Sequence, residues 1–235
     1  MILLSIVMPA FNEGENLKSV IDEVADTMAA HSWATPYELI IINDGSSDDT
    51  ASLADTLART SSSVRVFNHA HNQGLGAALR TGYTASRGQF VTWMSSDGEI
   101  DIHYLLDLLR LADEADIVIS GKRLREGIAP WYREVFSGTL GLLSRLLVGF
   151  NWSQMSGIYL IRGDLLRQFN FHSTTGMVNF EVYLLARRRG LRIVEGPPLN
   201  ARARLSGKSK VANIRTILKT FHELLKLRFV ISDKK

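Results

Sequence analysis

Acidic, amide and small residues cluster in short segments whose spacing suits a phosphorylated ligand. Ser95-Ser96-Asp97-Gly98-Glu99 sets two acids two residues apart, directly after an apolar run. Two such carboxylates can hold Mg²⁺, which takes one or two protein carboxylates and completes its shell with phosphate oxygens and water. The same residues equally suit a polar turn before a helix beginning near Asp101. Asn43-Asp44-Gly45-Ser46-Ser47-Asp48-Asp49-Thr50 offers Asp44 as an acceptor for a base or ribose, while Ser47 and Asp49 are types that cap a helix. Pro9-Ala10-Phe11-Asn12-Glu13 can hold a nucleobase by stacking and hydrogen bonds, or simply turn a strand into a helix. Gly74-Leu75-Gly76-Ala77-Ala78-Leu79 begins like a dinucleotide fingerprint. Leu79 stands where Gly or Ala is needed, and the first strand lacks the motif, which argues against a nicotinamide dehydrogenase. Glycines at that helix start can still let backbone N–H groups approach an anion.

These segments need strands and helices to position them. Apolar runs at 3–8, 38–42, 64–67, 90–94 and 117–120 read as strands buried on both faces, the first ending at Pro9. Helices are expected at 15–30, where Leu17, Val20, Ile21, Val24 and Met28 share a face, and at 51–58, 75–86 and 102–112. Strands separated by helices imply right-handed crossovers and a mostly parallel sheet. Ligands in such sheets bind beyond the carboxyl ends of the strands, where the polar segments fall. The second half is less regular. It offers strands at 158–161 and 191–195, an edge strand within 200–205, a helix at 178–189 and an amphipathic stretch at 138–150. Ile214, Ile217, Leu218, Phe221, Leu224 and Leu225 fall on one face of a final helix.

Composition bounds the answer. The 235 residues are 46% hydrophobic and 22% charged, which excludes disorder, collagen-like repeats and coiled coil. There are no cysteines, hence no disulfide, no thiolate metal site and no cysteine nucleophile, as suits a reducing compartment. The net charge of +3 is uneven. Ten Lys or Arg against two acids lie from Arg202 onward, a balance of +8, so the first 201 residues carry −5. A basic tail on an acidic body points to phosphates or an anionic membrane surface. No stretch is long and apolar enough to span a bilayer, and the N-terminus is expected to be a buried strand rather than a signal peptide.

The segments together resemble the inverting glycosyltransferases of family two, and most of all their polyprenyl-phosphate branch, which is dolichol-phosphate mannose synthase-like. Ile6 to Glu13 matches the family's "V-x-P-x-Y/F-N-E", and Asn43 to Thr50 matches "D-D-G-S-x-D-x-T". Asn72 to Ala78 matches "N/K-x-G-x-G-x-A", Gly121-Lys122-Arg123 matches "G-S-R", and Met155-Ser156-Gly157 matches "T-S-G". Asn179-Phe180-Glu181 matches the "F-E" helix start, and Arg204 to Lys210 matches "R-x-x-G-x-S-K". There are two departures. Ser95 replaces the first acid of the family's "D-x-D", and Tyr159 replaces an Arg two residues after Gly157.

The resemblance implies an α/β protein of GT-A fold: a mostly parallel central sheet flanked by helices, with a C-terminal amphipathic helix. A single domain over 1–235 would comprise a nucleotide-sugar-binding half (1–120), an acceptor half (121–210) and a basic tail (211–235). It implies a nucleoside diphosphate sugar as donor, against Pro9, Phe11, Glu13, Asp44, Ser96 and Asp97. A divalent metal, Mg²⁺ or Mn²⁺, would sit on Asp97 and Glu99, bind weakly, or be replaced by basic residues. Arg123, Arg133, Arg204, Ser209 and Lys210 would hold the diphosphate or the acceptor phosphate, with Asp97, Arg123 and Arg133 counted as catalytic. A polyprenyl phosphate acceptor needs little base help because it is already anionic. A hydroxyl acceptor needs a carboxylate base, for which Glu181 is the candidate. A peripheral protein at the cytoplasmic face of a membrane is expected, with no nucleic acid partner. A non-catalytic nucleotide-sugar-binding protein remains the alternative from another class.

Overall fold

A computed structural model describes residues 3–30, 36–121, 123–125, 131–149, 157–206 and 219–227, with the backbone alone for 123–125, 131–137, 140 and 148. A seven-stranded sheet runs in the order β3-β2-β1-β4-β7-β5-β8. Its strands are β1 (Leu4–Ala10), β2 (Tyr37–Asn43), β3 (Val64–Asn68), β4 (Phe90–Trp93), β5 (Ile117–Ile119), β7 (Tyr159–Arg162) and β8 (Ile193–Glu195). Only β7 runs antiparallel to its neighbours. A separate ribbon pairs β6 (Arg123–Arg125) with β9 (Leu199–Ala201). The helices are α1 (Gly14–Ala30), α2 (Thr50–Thr60), α3 (Leu75–Ala85), α4 (Ile102–Leu109), α5 (Trp131–Val148), α6 (Gly163–Leu166) and α7 (Met177–Arg188), and a further helix, α8, spans 219–227.

Alternation along β1 divides the core. Leu4, Ile6 and Met8 face the layer of α1, α2 and α4, while Val7 faces α3 and α7. The first strand does not stop at Pro9 but continues to Ala10. Pairing with β4 ends at Val7, so the missing proline N–H lies beyond the last β1–β4 pair while pairing with β2 goes on. The 200–205 edge strand shrinks to Leu199–Ala201, and residues 202–206 leave it to lie over the loops of β1 and β4.

Helix α8 packs on the body. Leu224 and Leu227 are buried against the α3–α7 layer with Phe221 beside them, and Leu225 is exposed. The face expected from the sequence is thus rotated: Leu227 takes the inward place given to Leu225, three residues after Leu224. Ile214, Ile217 and Leu218 lie outside the described residues. Among those described, no helix is long and apolar enough to cross a membrane.

A buried polar knot ties the amino ends of the central strands. Glu38 accepts from the Ser5 hydroxyl at 2.6 Å, from Arg87 N at 2.7 Å and from Arg65 Nη1 at 2.7 Å. Burial raises the Glu38 carboxyl, but Ser5, Arg65 and the Arg87 N–H together hold it below its ordinary value. A carboxyl lowered on folding adds stability above its unfolded value of 4.5, and that stability is lost as pH falls through the lower folded value. Glu38→Gln should therefore cost about 1–3 kcal/mol at neutral pH and flatten the loss of stability below pH 4.5. Urea unfolding at several pH values measures both. A variant with the wild-type acid slope would exclude this role for Glu38.

Candidate active site

The loops after β1, β2 and β4 meet at the carboxyl edge of the sheet, the expected ligand side of an open α/β fold. Each is laced to the next. Asn12, with φ of 52°, donates its N–H to Ser46 Oγ at 3.0 Å, and its Oδ1 accepts from Ser47 N at 2.8 Å. Glu13 N donates to Thr50 Oγ1 at 2.8 Å, and Gly14 N donates to Asp48 Oδ2. The helix-capping acid of α2 is therefore Asp48, which also accepts from Thr50 N at 3.0 Å. Asp49 at the N-cap makes no side-chain cap bond, and Ser47 serves the β1 loop. The Ser96 hydroxyl donates to Pro9 O at 2.9 Å, fixing the β4 loop to the end of β1.

Asp44 is buried, with its carboxylate engaged by its own chain. It accepts from His69 Nδ1 at 2.7 Å, Gln73 N at 2.9 Å and Gly74 N at 2.8 Å. The anion cradled at the start of α3 is thus Asp44 itself. The glycines there serve close packing: a Cβ on Gly76 would lie 2.6 Å from the Thr174 backbone, and Gly76 N donates to Thr174 O at 3.0 Å.

The acids of the β1 and β4 loops converge on one cation. Arg204 places Nη2 2.7 Å from Asp97 Oδ2, Nε 3.2 Å from Glu99 Oε1 and Nη1 3.9 Å from Glu13 Oε1. The other Asp97 oxygen accepts from Glu99 N at 3.1 Å, which turns the loop so that both side chains face one point. Glu13 is held in turn by Asn16 Nδ2 at 2.7 Å. Ser95, in place of an acid, has a buried hydroxyl with no hydrogen-bond partner.

Asp97 and Glu99 fit a divalent ion, since two carboxylates already share one cation. Among the described residues no group of three His, Cys, Asp or Glu could hold a metal alone, so further ligands would come from a diphosphate and water.

Glu181, the candidate base for a hydroxyl acceptor, lies buried in α7. It is 1% exposed, and its oxygens accept from His172 N at 2.8 Å, His172 Nδ1 at 3.0 Å and Ser173 N at 2.9 Å. Its geometry is that of a clamp on the 172–173 loop. Glu223 of α8 clamps the next two residues, accepting from the N–H and hydroxyl of both Thr174 and Thr175. The sequence reading passed over Glu223; an acid on the apolar face of an amphipathic helix was the available signal.

Tyr159, at the family's Arg position, is fully buried with its hydroxyl against that of Tyr83. It therefore belongs to the core. Phe11 is half-buried in the loop after β1. Arg123 opens β6 and Arg133 lies in the first turn of α5, but their side chains lie outside the described residues, as do Ser209 and Lys210 entirely.

Residues 5–183 match the family described as Glycosyl transferase family 2, and the chain belongs to that family. It is 27% identical over 212 residues to a dolichyl-phosphate beta-glucosyltransferase of Trichomonas vaginalis, covering 83% of this chain and 64% of that protein's length. It is 29% identical over 216 residues to the undecaprenyl-phosphate mannosyltransferase of Micrococcus luteus, covering 88% and 86% of the two chains. Glucosyl-3-phosphoglycerate synthase from Mycobacterium tuberculosis, solved in complex with Mn²⁺, uridine diphosphate and glucosyl-3-phosphoglycerate, superposes with a TM-score of 0.72 at 23% identity, covering 99% of this chain and 81% of that one. That likeness establishes the GT-A architecture expected from the sequence, a glycosyltransferase fold built on a mostly parallel sheet.

Proposed function

We propose that this protein transfers a sugar from a nucleoside diphosphate sugar to a polyprenyl phosphate, with inversion at the anomeric carbon. The observation that carries the reading is the convergence of Glu13, Asp97 and Glu99 at the carboxyl edge of the sheet, in a family 2 chain. The names of the two relatives supply the acceptor class.

The base of the donor lies against Pro9, Phe11 and Glu13. Asp44 contributes by fixing the 69–74 loop behind them. An acceptor phosphate oxygen attacks the anomeric carbon in line, a new C–O bond forms, and the bond to the diphosphate oxygen breaks. The nucleoside diphosphate leaves with the electron pair, and no proton transfer is needed. Charge gathering on that leaving group is the main electrostatic task. Held by Asp97 and Glu99, Mg²⁺ or Mn²⁺ supplies Lewis-acid charge for it when bound. Arg123, Arg133, Ser209 and Lys210 take the remaining phosphate contacts, arginines in bidentate fashion and lysine as a point charge.

The membrane contact falls on α5. Leu142 and Leu146, four residues apart, are 60% and 70% exposed, while Leu143 and Leu147 pack on the core. An apolar stripe of this kind sits in the boundary of a bilayer beside a lipid acceptor, at the cytoplasmic face.

The test incubates the purified protein with uridine and guanosine diphosphate sugars and a short polyprenyl phosphate, with and without Mg²⁺ or Mn²⁺. Mass spectrometry should find a glycosylated polyprenyl phosphate, and NMR coupling at its anomeric proton should show inverted configuration. Transfer to a hydroxyl acceptor alone, or no turnover of any donor, would overturn the assignment.

A further inference from the structure

The segment 202–206 lies across the donor loops. Arg202 N donates to Glu99 O at 2.9 Å, and Leu205 N donates to Asp97 O at 3.1 Å. The Ser206 hydroxyl lies 2.8 Å from both Glu15 Oε2 and Asn16 Oδ1. Arg202 pairs with Glu23 at 2.6 Å and with Asp101. Gly98, with φ of 76°, leaves room for Leu205, since a Cβ there would lie 2.7 Å from Leu205 Cγ. Leu205 itself remains 55% exposed. The described contacts of this strap are therefore mainly polar, and its central anchors are Asp97 and Glu99.

Arg204 brings one positive charge among three carboxylates, leaving the cluster with a net charge of −2. A divalent ion would seek the same two carboxylates. Ion and guanidinium cannot share the Asp97 Oδ2 and Glu99 Oε1 directions at the distances observed, because a metal–oxygen bond of about 2.1 Å sits inside the space the guanidinium fills.

We propose that Arg204 is the resident cation of this site. It occupies the place of the divalent ion in the empty protein, competes with that ion for Asp97 and Glu99, and gives up the strap when the ion enters. The inference rests on reading Asp97 and Glu99 as the cation ligands. Ser95, one carboxylate fewer than the family's pair of acids, strengthens the competition by weakening the ion's side of it.

The test uses Mn²⁺ alone with the whole protein, without donor or acceptor, so it stands whether or not sugar transfer is found. Calorimetry should show Mn²⁺ binding to Arg204→Gln at least tenfold tighter than to wild type. Arg204→Lys, which keeps the charge without the fork, should fall between them. Thermal unfolding identifies any variant that has not folded, and the wild type carries a second readout that needs no substitution. Mn²⁺ should speed hydrogen exchange at the Arg202 and Leu205 amides, whose acceptors are the loop carbonyls. Unchanged or weaker Mn²⁺ affinity in Arg204→Gln would overturn the proposal, as would Mn²⁺ binding to wild type with the strap amides still protected.

Discussion

Asp97→Asn should lower sugar transfer by about 10²–10³-fold at saturating donor, the usual loss when one preorganised charge at a reacting centre is removed. Asn keeps the shape of the side chain and an oxygen for the Glu99 N–H, so the loop after β4 stays formed. What it loses is the charge facing Arg204 at 2.7 Å, the oxygen at which a divalent ion would gather the donor diphosphate. Asp97 belongs to neither apolar core layer, and its backbone bond to Leu205 N survives the change. Melting temperature should therefore shift little while turnover collapses. Initial-rate assays at several donor concentrations, read beside a thermal melt, separate the two. Near-normal turnover in a folded variant would remove Asp97 from the reaction.

The strand and helix pattern of the first half is legible because local and global preferences agree there. Buried parallel strands such as Ile6–Met8 and Ile40–Ile42 are apolar on both faces, and Leu17, Val20, Ile21 and Val24 repeat at helical spacing over the same layer. The family motifs then mark which strand ends bear the site. What the sequence does not display is how the acids divide their work. Asp44, Asp48, Asp97 and Glu181 all stand in matched motifs, yet their partners come from segments 25 or more residues away in three cases and from a nearby loop in the fourth. Asp44 meets His69, Asp48 meets Gly14, Asp97 meets Arg204, and Glu181 meets His172. A carboxylate surrounded by backbone N–H groups and one facing an arginine have the same letter in a sequence. Tyr159 is a further instance. Its departure from the family's Arg is visible in the sequence, but its place in the fold is not: it pairs with Tyr83 and fills the core.

The distribution of these acids also limits which substitutions inform on chemistry. Carboxylates whose oxygens are filled by N–H groups hold loops in place, and their removal acts first on stability. Those that face Arg204 are the proposed cation ligands, and their removal is expected to act first on donor binding and turnover. Two acids of similar burial, Asp97 and Glu181, fall on opposite sides of that division.

Glu181→Gln tests it most directly. A general base loses its function on this change while the fold persists. A clamp loses stability instead, because the new amide N–H group must face either Ser173 N or the His172 donors, where only an acceptor fits. At least one buried N–H is left unpaired and a second donor is forced against it, which together cost about 2–4 kcal/mol. For a chain of this length that lowers the melting temperature by about 5–15 °C. Below the new melting range, transfer to a polyprenyl phosphate should continue, because the acceptor arrives already ionised. The pH profile should likewise keep its shape, since an ionised acceptor needs no base. A Glu181→Gln protein with unchanged melting temperature and no transfer at any pH would restore the base, and with it a hydroxyl acceptor.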